Sequence, residues 1–285
     1  MSICSPKTNK DSKCLPYNVL VKIADIINKN SNTTINIHNN SDLYNDIQNH
    51  ISRIYSCKNE KCWMETIKLI DNIPHQLLKE FKSYYKPKKP KNWINNKNTW
   101  LTSEDIDKVL KQYTDKHPNF FVYNSTPIDF DLKNNNGTCK INDLCKIDIM
   151  KLYNKYDFIS IVFNTDPHYK SGQHWICLFI DLKGFNQNIL NENNTPCIYF
   201  FDSVGSNPPK EVTKLINKIR EQGKKNNIIF DYYYNDIQYQ KGTTECGIYC
   251  IHFITYMLTN GIFHEYVNKN LSDEFIEKYR SFYFI

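Results

Sequence analysis

No stretch of this 285-residue chain approaches the ~18 consecutive apolar residues that a membrane-spanning helix needs. Its first residues, Met1-Ser2-Ile3-Cys4-Ser5-Pro6-Lys7, lack the apolar block of a secretory signal. There is no internal repeat. There is also little excess of one charge: 36 Lys and Arg against 30 Asp and Glu leave +6, a margin that solubility alone accounts for. The charge gives no reason to expect a nucleic-acid partner, and the hydropathy gives none to expect a membrane. A soluble, intracellular protein is the expectation.

Hydrophobic residues make up 40% of the chain and charged residues 23%, the balance of a folded globular protein. The length fits one large domain or two smaller ones and suffices for a sizeable core. Asparagine is strongly over-represented, which reads as an AT-rich coding sequence and carries no functional information. Cysteine is not scarce: there are ten, at positions 4, 14, 57, 62, 139, 145, 177, 197, 246 and 250. Without an export signal they are expected to be reduced thiols, with a nucleophile or a metal site as the functional options. The pairs Cys57/Cys62 and Cys139/Cys145 lack the second pair or the histidines of a zinc site, so they read as structural thiols.

The first third is helical in pattern. Apolar spacing predicts helices over residues 18–28, 41–55, 62–70 and 74–85, with Ser41 as an N-cap and a loop over 30–40. Tyr85-Lys86-Pro87-Lys88-Lys89-Pro90-Lys91 then breaks the pattern, because prolines forbid a helix and lysines keep the segment solvated. The domain boundary is placed there: an N-terminal helical arm over residues 1–92 and a second domain over 93–285. In that second domain a helix is expected over 102–113, capped by Thr102 or Ser103. Strands are expected over 158–163, 174–182, 197–202 and 228–234. Further helices follow over 211–222, 246–258 and 272–282. Strands and helices without strict alternation give an α+β fold.

The strands over 174–182 and 197–202 hold the first chemical signal. A symmetric hairpin centred on residue 188, within a polar loop, sets His174 directly opposite Asp202. An imidazole beside a carboxylate is the orienting pair of a nucleophilic triad. The nucleophile would be Cys246, at the first turn of a nearly all-apolar helix, where the positive helix end and a neighbouring imidazolium favour a thiolate. Cys250, one turn on, reads as a small core residue. Gln240 precedes Cys246 by a short polar turn; its amide and the Cys246 backbone N–H suit a developing oxyanion. Gln238 is the alternative at a less suitable spacing. Gly247 lets the chain pass close to a substrate. His168 is a rival base, but it sits in a loop without an evident carboxylate, and Asp181 alternates to the face opposite His174.

Gly172-Gln173-His174-Trp175, then Tyr199-Phe200-Phe201-Asp202-Ser203, then Gln240 with Thr244-Glu245-Cys246-Gly247-Ile248-Tyr249 stand in that order. Together they resemble the His-Trp, Asp-Ser and Gln-(x5)-Cys-Gly elements of the Ulp/SENP and adenain-type cysteine protease clan. Trp100-Leu101-Thr102 resembles the clan's N-terminal Trp-Leu-Asn/Thr segment. The stretch from Gly172 to Pro209, Thr244 to Gly247 and Ser272-Asp273-Glu274 are similar to the polyprotein-processing, SUMO-protease-like enzymes of large DNA viruses. The viral type carries Asn as its third triad member, whereas this chain has Asp202, as SUMO proteases do.

The resemblance covers residues 93–285 and implies a papain-like core, a central mixed sheet flanked by helices; the helical N-terminal part is similar to the viral arm domain. It implies a cysteine endopeptidase that cuts after Gly-Gly in viral structural or core polyproteins during virion maturation. Cys246, His174, Asp202 and Gln240 would carry the chemistry, and Trp175, Trp100 and Gly247 would line the substrate slot. A slot roofed by Trp100 and Trp175 has no room for a Cβ. The implied partner is a protein with Gly-Gly-X sites, either a viral polyprotein or a ubiquitin-like modifier conjugate. No metal or organic cofactor is implied. The implied location is the host cytoplasm at replication sites and the virion. The alternatives are a deconjugating protease for SUMO or ubiquitin-like modifiers, and a catalytically idle binding module.

Overall fold

The computed structural model describes residues 2–8, 13–32, 34–37, 42–70, 72–96, 99–186, 194–259, 261–269 and 271–285. The chain forms two compact units, one spanning Met1–Lys86 together with Ile285 and one spanning Pro87–Phe284. The division falls at residue 86, six residues before the boundary expected from the proline-lysine stretch.

The N-terminal unit is built on α1 (Tyr17–Asn30), α2 (Leu43–Tyr55), α3 (Glu60–Thr66) and α4 (His75–Ser83). Apolar residues three and four apart give each longer helix one buried face: Val19, Leu20, Ile23 and Ile27 on α1, Leu43, Ile47 and Ile51 on α2, Leu77 and Phe81 on α4. The proposed cap Ser41 lies outside the described residues. A carboxylate sits at the centre of this unit. Buried Glu60 accepts from the Cys14 backbone N–H at 3.0 Å and from the Tyr85 hydroxyl at 2.9 Å. Burial first, and Glu60 second, hold the Tyr85 phenol far above its ordinary pKa, so it remains a donor.

The second unit is a six-stranded mixed sheet between helices. Its strands are β1 (Phe120–Val122), β2 (Thr126–Pro127), β3 (Phe158–Asn164), β4 (Trp175–Asp181), β5 (Cys197–Phe201) and β6 (Asp231–Tyr234). They run in the order β1-β3-β4-β5-β6, with β2 also on β3. β3, β4 and β5 are antiparallel neighbours; β1, β2 and β6 join in parallel. The three central strands are buried along their whole length, so they read as continuous apolar runs. Trp175, Cys177, Phe179, Tyr199 and Phe201 share a core with α5 (Ser103–Lys116) and a later helix over Cys246–Leu258. Ile176, Leu178, Ile180, Ile198 and Phe200 form a second core, joined by Ile149 of α6 (Ile149–Tyr153) and Val212, Leu215, Ile216 and Ile219 of α7 (Lys210–Lys224). Thr102 caps α5 in a reciprocal box with Asp105.

Helix α8 (Cys246–Leu258) is buried on nearly every side, as its unbroken apolar sequence demands. The chain ends through α9 (Phe263–Val267), α10 (Asp273–Glu277) and α11 (Arg280–Tyr283). The expected single helix over 272–282 is thus two short ones. The expected strand over 228–234 begins only at Asp231, because the Ile228 N–H still bonds Gly223 O at the end of α7. The sequence reading misses β1, β2, α6 and α9, whose two to five residues are too few to show a period.

Six cysteines that were expected to be reduced are paired: Cys4–Cys14, Cys57–Cys62 and Cys139–Cys145. Each pair closes a short loop that brings its Cα atoms to 5.0–5.8 Å, within bridging range. Cys177, Cys197, Cys246 and Cys250 are free and buried.

A buried histidine makes stability depend on pH. His252 lies inside α8 with Nδ1 2.8 Å from the Tyr266 hydroxyl. Burial first, then Lys269, push its pKa down to about 4. The unfolded chain therefore takes up this proton before the folded one does. The stabilisation is complete above the ordinary value of 6.5 and is lost as pH falls toward about 4, at about 1.4 kcal/mol per pH unit and about 3 kcal/mol in all. Denaturant unfolding across that window should show the slope, and His252→Gln should remove that share of it.

Candidate active site

Three chain segments deliver the candidate groups. His174 stands just before β4, Asp202 just after β5, and Cys246 opens α8. The hairpin of β4 and β5 pairs Cys177 with Phe201 and Asp181 with Cys197. This is two residues away from the symmetric register, so Val204 rather than Asp202 stands in line with His174. The buried Asp181 carboxylate sets that register by accepting from the N–H groups of Lys183, Gly184 and Asn186, which ends β4 there; residues 187–193 of the connecting loop lie outside the described residues. A shift of two keeps the same parity, and a diagonal neighbour remains within reach of a long side chain. His174 Nε2 lies 2.6 Å from Asp202 Oδ1.

Both partners are held from behind. The Asn164 side-chain oxygen accepts from the N–H of Asp166 at 3.0 Å and of Gln173 at 3.1 Å, closing the loop that ends at His174. Gly172 makes this possible. Its φ is +98° and a Cβ would lie 2.8 Å from the Asn164 amide nitrogen. Asp202 is clamped through its backbone: its N–H donates to Asn235 Oδ1 at 2.8 Å and its carbonyl accepts from Asn235 Nδ2 at 2.7 Å. The Asp202 carboxylate also accepts from the Val204 N–H at 3.0 Å.

The electrostatics of His174 join all three groups. Burial by itself lowers its pKa. Hydrogen bonds to Asp202 and to the Cys246 sulfur, with the charges of both, outweigh burial and raise it to about 9. That shift favours the imidazolium at neutral pH. With Nε2 on Asp202, Nδ1 is the nitrogen left for the sulfur. Cys246 is 1% exposed and lies where the unpaired N–H groups of α8 concentrate positive potential.

Gln240 is buried, and its amide has a fixed orientation. Its Oε1 accepts from the Ser203 hydroxyl at 2.7 Å, and its Nε2 donates to Gly242 O at 3.1 Å. The second Nε2 hydrogen remains for another acceptor. The alternative, Gln238, is exposed and donates to Gln240 O. Trp175 is buried, and its indole N–H donates to Leu101 O at 2.9 Å; Trp100, next to Leu101, is half-buried. Gly247 was expected to border substrate. Its missing side chain admits Leu101, whose Cβ would stand 3.1 Å from a Cβ there, and Trp175, at 3.4 Å. It lets the start of α8 pack against the tryptophan strip.

His168 has a carboxylate after all, contrary to expectation: its Nδ1 lies 2.6 Å from Asp129 Oδ2. His174 is the imidazole whose pKa Cys246 helps to raise. Burial first, then neighbouring Cys177, push the Cys250 thiol up, which keeps it neutral in the core. Sequence reasoning missed Asn164, Ser203 and Asn235 as supports. Ser203 was visible beside Asp202, but Asn164 and Asn235 are hidden by the abundance of asparagine.

The arrangement joins a sulfur at a helix start, an imidazolium on a carboxylate, and an amide donor, which is the equipment for acyl transfer through a thiolate. The model of the Ulp1 protease family, C-terminal catalytic domain, matches residues 119–284. Among curated relatives, the chain is 31% identical over 189 residues to a protein of Acanthamoeba polyphaga mimivirus named as a thiol protease, covering 65% of this chain and 56% of that protein. It is 25% identical over 224 residues to a protein of African swine fever virus named as a SUMO-1 cysteine protease, covering 73% of this chain and 74% of that one. The chain thus spans little more than half the length of the mimivirus protein. Among solved structures, the crystal structure of an African swine fever virus protease superposes with a TM-score of 0.70 at 21% identity, covering 100% of this chain and 96% of that chain; this likeness concerns the fold. The chain belongs to the Ulp1 protease family, and its residues 119–284 are the part that corresponds to the family's C-terminal catalytic domain.

Proposed function

We propose that this protein is a cysteine endopeptidase that cleaves after Gly-Gly in viral structural or core polyproteins during virion maturation. One observation carries the reading: His174 is held on Asp202 at 2.6 Å, and Cys246, whose charge helps raise the His174 pKa, opens a buried helix.

The Cys246 thiolate, its proton on His174, attacks the carbonyl carbon of the second glycine. A carbon–sulfur bond forms and the carbonyl π pair moves to oxygen. The Gln240 amide and the Cys246 backbone N–H take that negative charge. On collapse the carbon–nitrogen bond breaks and His174 gives its proton to the leaving amine. Water, deprotonated by His174, then attacks the thioester, and the acid product leaves as the carbon–sulfur bond breaks. Asp202 holds the ring throughout. Trp100 and Trp175 roof the slot, so glycine passes and a Cβ is excluded. No cofactor enters the scheme.

The test compares wild type and Cys246→Ala on Gly-Gly-X, Gly-Ala-X and Ala-Gly-X peptides. Cleavage of the first alone, by wild type alone, supports the reading; equal cleavage of all three removes the slot from it. The oxyanion role has its own prediction. Gln240→Ala should lower kcat by about 10²–10³-fold with KM little changed. Ser203→Ala, which frees the amide to rotate, should lower kcat by about tenfold. Steady-state kinetics at saturating peptide would read both, and an unchanged kcat in Gln240→Ala would remove that residue from the oxyanion site.

A deconjugating protease for SUMO-like modifiers is the second reading, favoured by Asp202 in place of the viral Asn. A ubiquitin-like vinyl-sulfone probe decides: labelling of Cys246 supports deconjugation, whereas peptide cleavage without labelling supports polyprotein processing. The proposed location is the host cytoplasm during replication and the virion afterwards. Three disulfides accord best with the virion, since the cytosol keeps thiols reduced.

A further inference from the structure

Arg280, at the start of α11, is 5% exposed and directs its donors to three places. Nη1 donates to Thr99 O at 2.8 Å, Nη2 to Thr244 O at 2.9 Å, and Nε to Glu277 Oε1 at 2.8 Å. Its guanidinium carbon lies 4.8 Å from the centre of the Trp93 ring. A buried guanidinium needs this many partners to offset its lost hydration. The choice of two of them is informative. Thr99 immediately precedes Trp100, and Thr244 lies two residues before Cys246. One planar group therefore ties the strip that carries a proposed roof tryptophan to the turn that presents the sulfur.

The rest of the neighbourhood makes the tie stiff. The Trp175 indole holds Leu101 O, so the strip around Trp100 is fixed on both sides. The Glu245 carboxylate folds back onto the Thr244 N–H at 2.9 Å and the Thr244 hydroxyl at 2.6 Å. Asp273 accepts from the N–H groups of Lys241 and Gly242 at 2.9 and 2.8 Å. Burial first pushes the Glu277 pKa up, with Arg280 opposing and the charge of Glu245 adding to the rise; Arg280 bonds Glu277 and Thr244 O, and Glu245 bonds Thr244, so these groups form one network around the nucleophile turn.

We propose that Arg280 is a positioning residue for glycine selection: by joining Thr99 to Thr244 it sets the gap between the Trp100 strip and the Cys246 sulfur. It touches neither substrate nor the reacting atoms. The inference rests on the reading of Cys246 as nucleophile and of Trp100 and Trp175 as the roof. Lysine cannot replace this residue, because a single ammonium lacks the planar fork that reaches both carbonyls in fixed geometry.

The test uses the full chain as wild type, Arg280→Lys, and the double variant Glu277→Gln/Arg280→Met, which removes the ion pair together. Each is assayed below its own melting temperature for kcat/KM on Gly-Gly-X and Gly-Ala-X peptides, and for the alkylation rate of Cys246 with iodoacetamide. Discrimination against one added methyl group is about 10–200-fold in a fitted pocket. Loosening the tie should lower the Gly-over-Ala ratio by about tenfold while alkylation stays within about twofold of wild type. A ratio equal to wild type in a folded variant overturns the proposal, whether activity falls on both peptides alike or not at all. Failure of both variants to fold also overturns it, by assigning Arg280 to the fold and not to the slot. Failure of the underlying reading looks different: wild type would not cleave Gly-Gly-X, or Cys246→Ala would still cleave it.

Discussion

Cys246→Ala should reduce kcat on a Gly-Gly-X peptide by about 10⁶-fold, since removing the nucleophile of an interdependent triad costs about that much. Substrate binding should survive, because Trp100 and Trp175, the proposed roof of the slot, are untouched. The change is small in volume at a site that is 1% exposed, and alanine favours a helix start no less than cysteine, so the fold should lose only about 1 kcal/mol. Cys250→Ala supplies the comparison. It removes the same atom one helical turn away, from a thiol that burial keeps protonated. Its kcat should stay within about threefold of wild type, any loss coming from packing rather than chemistry. Mass spectrometry of the acyl-enzyme during turnover would locate the thioester. Retention of more than about one per cent of kcat in Cys246→Ala would exclude this sulfur as the attacking atom.

Some of this site was legible because its residues sit at the ends of regular elements. An apolar run from Cys246 to Leu258 defines α8 without any tertiary information, and the structure has that helix at the same residues. His174 and Asp202 were readable because strand parity survives an error of two residues. The register itself was not readable, because Asp181 fixes it through three backbone N–H groups of the following turn, and such a turn has no periodic signature. The supports were hidden for a different reason. Asn235, Ser203 and Arg280 act on carbonyls and side chains far away in sequence, so nothing in their own neighbourhoods marks them. The cysteine pairs illustrate a third limit. Cysteine spacing alone does not show which thiols meet, whereas Cα separations of 5.0–5.8 Å follow from how three short loops close.

Asp202 is where hydrogen bonding and charge can be separated. Its Oδ1 receives both His174 and the Val204 N–H, and its charge helps lift His174 to about 9 against a burial effect that acts the other way. Asp202→Ala removes oxygen and charge together. The imidazole then loses its fixed orientation, and kcat/KM at neutral pH should fall by about 10³-fold. Asp202→Asn keeps an oxygen where the two donors point and removes only the charge, so its rate loss should be much smaller. The two variants should nevertheless share a change in pH dependence. In wild type, kcat/KM should decline above about pH 9, about tenfold per unit, as His174 loses the proton that it must hand to the leaving amine. Without the carboxylate charge, burial is less fully opposed and this alkaline limb must move to lower pH in both variants. An Asp202→Asn limb that stays near 9 would mean that Cys246 and the hydrogen bond alone sustain the imidazolium. Asp202 would then act by geometry only, which is the role that an asparagine at this position would also fill.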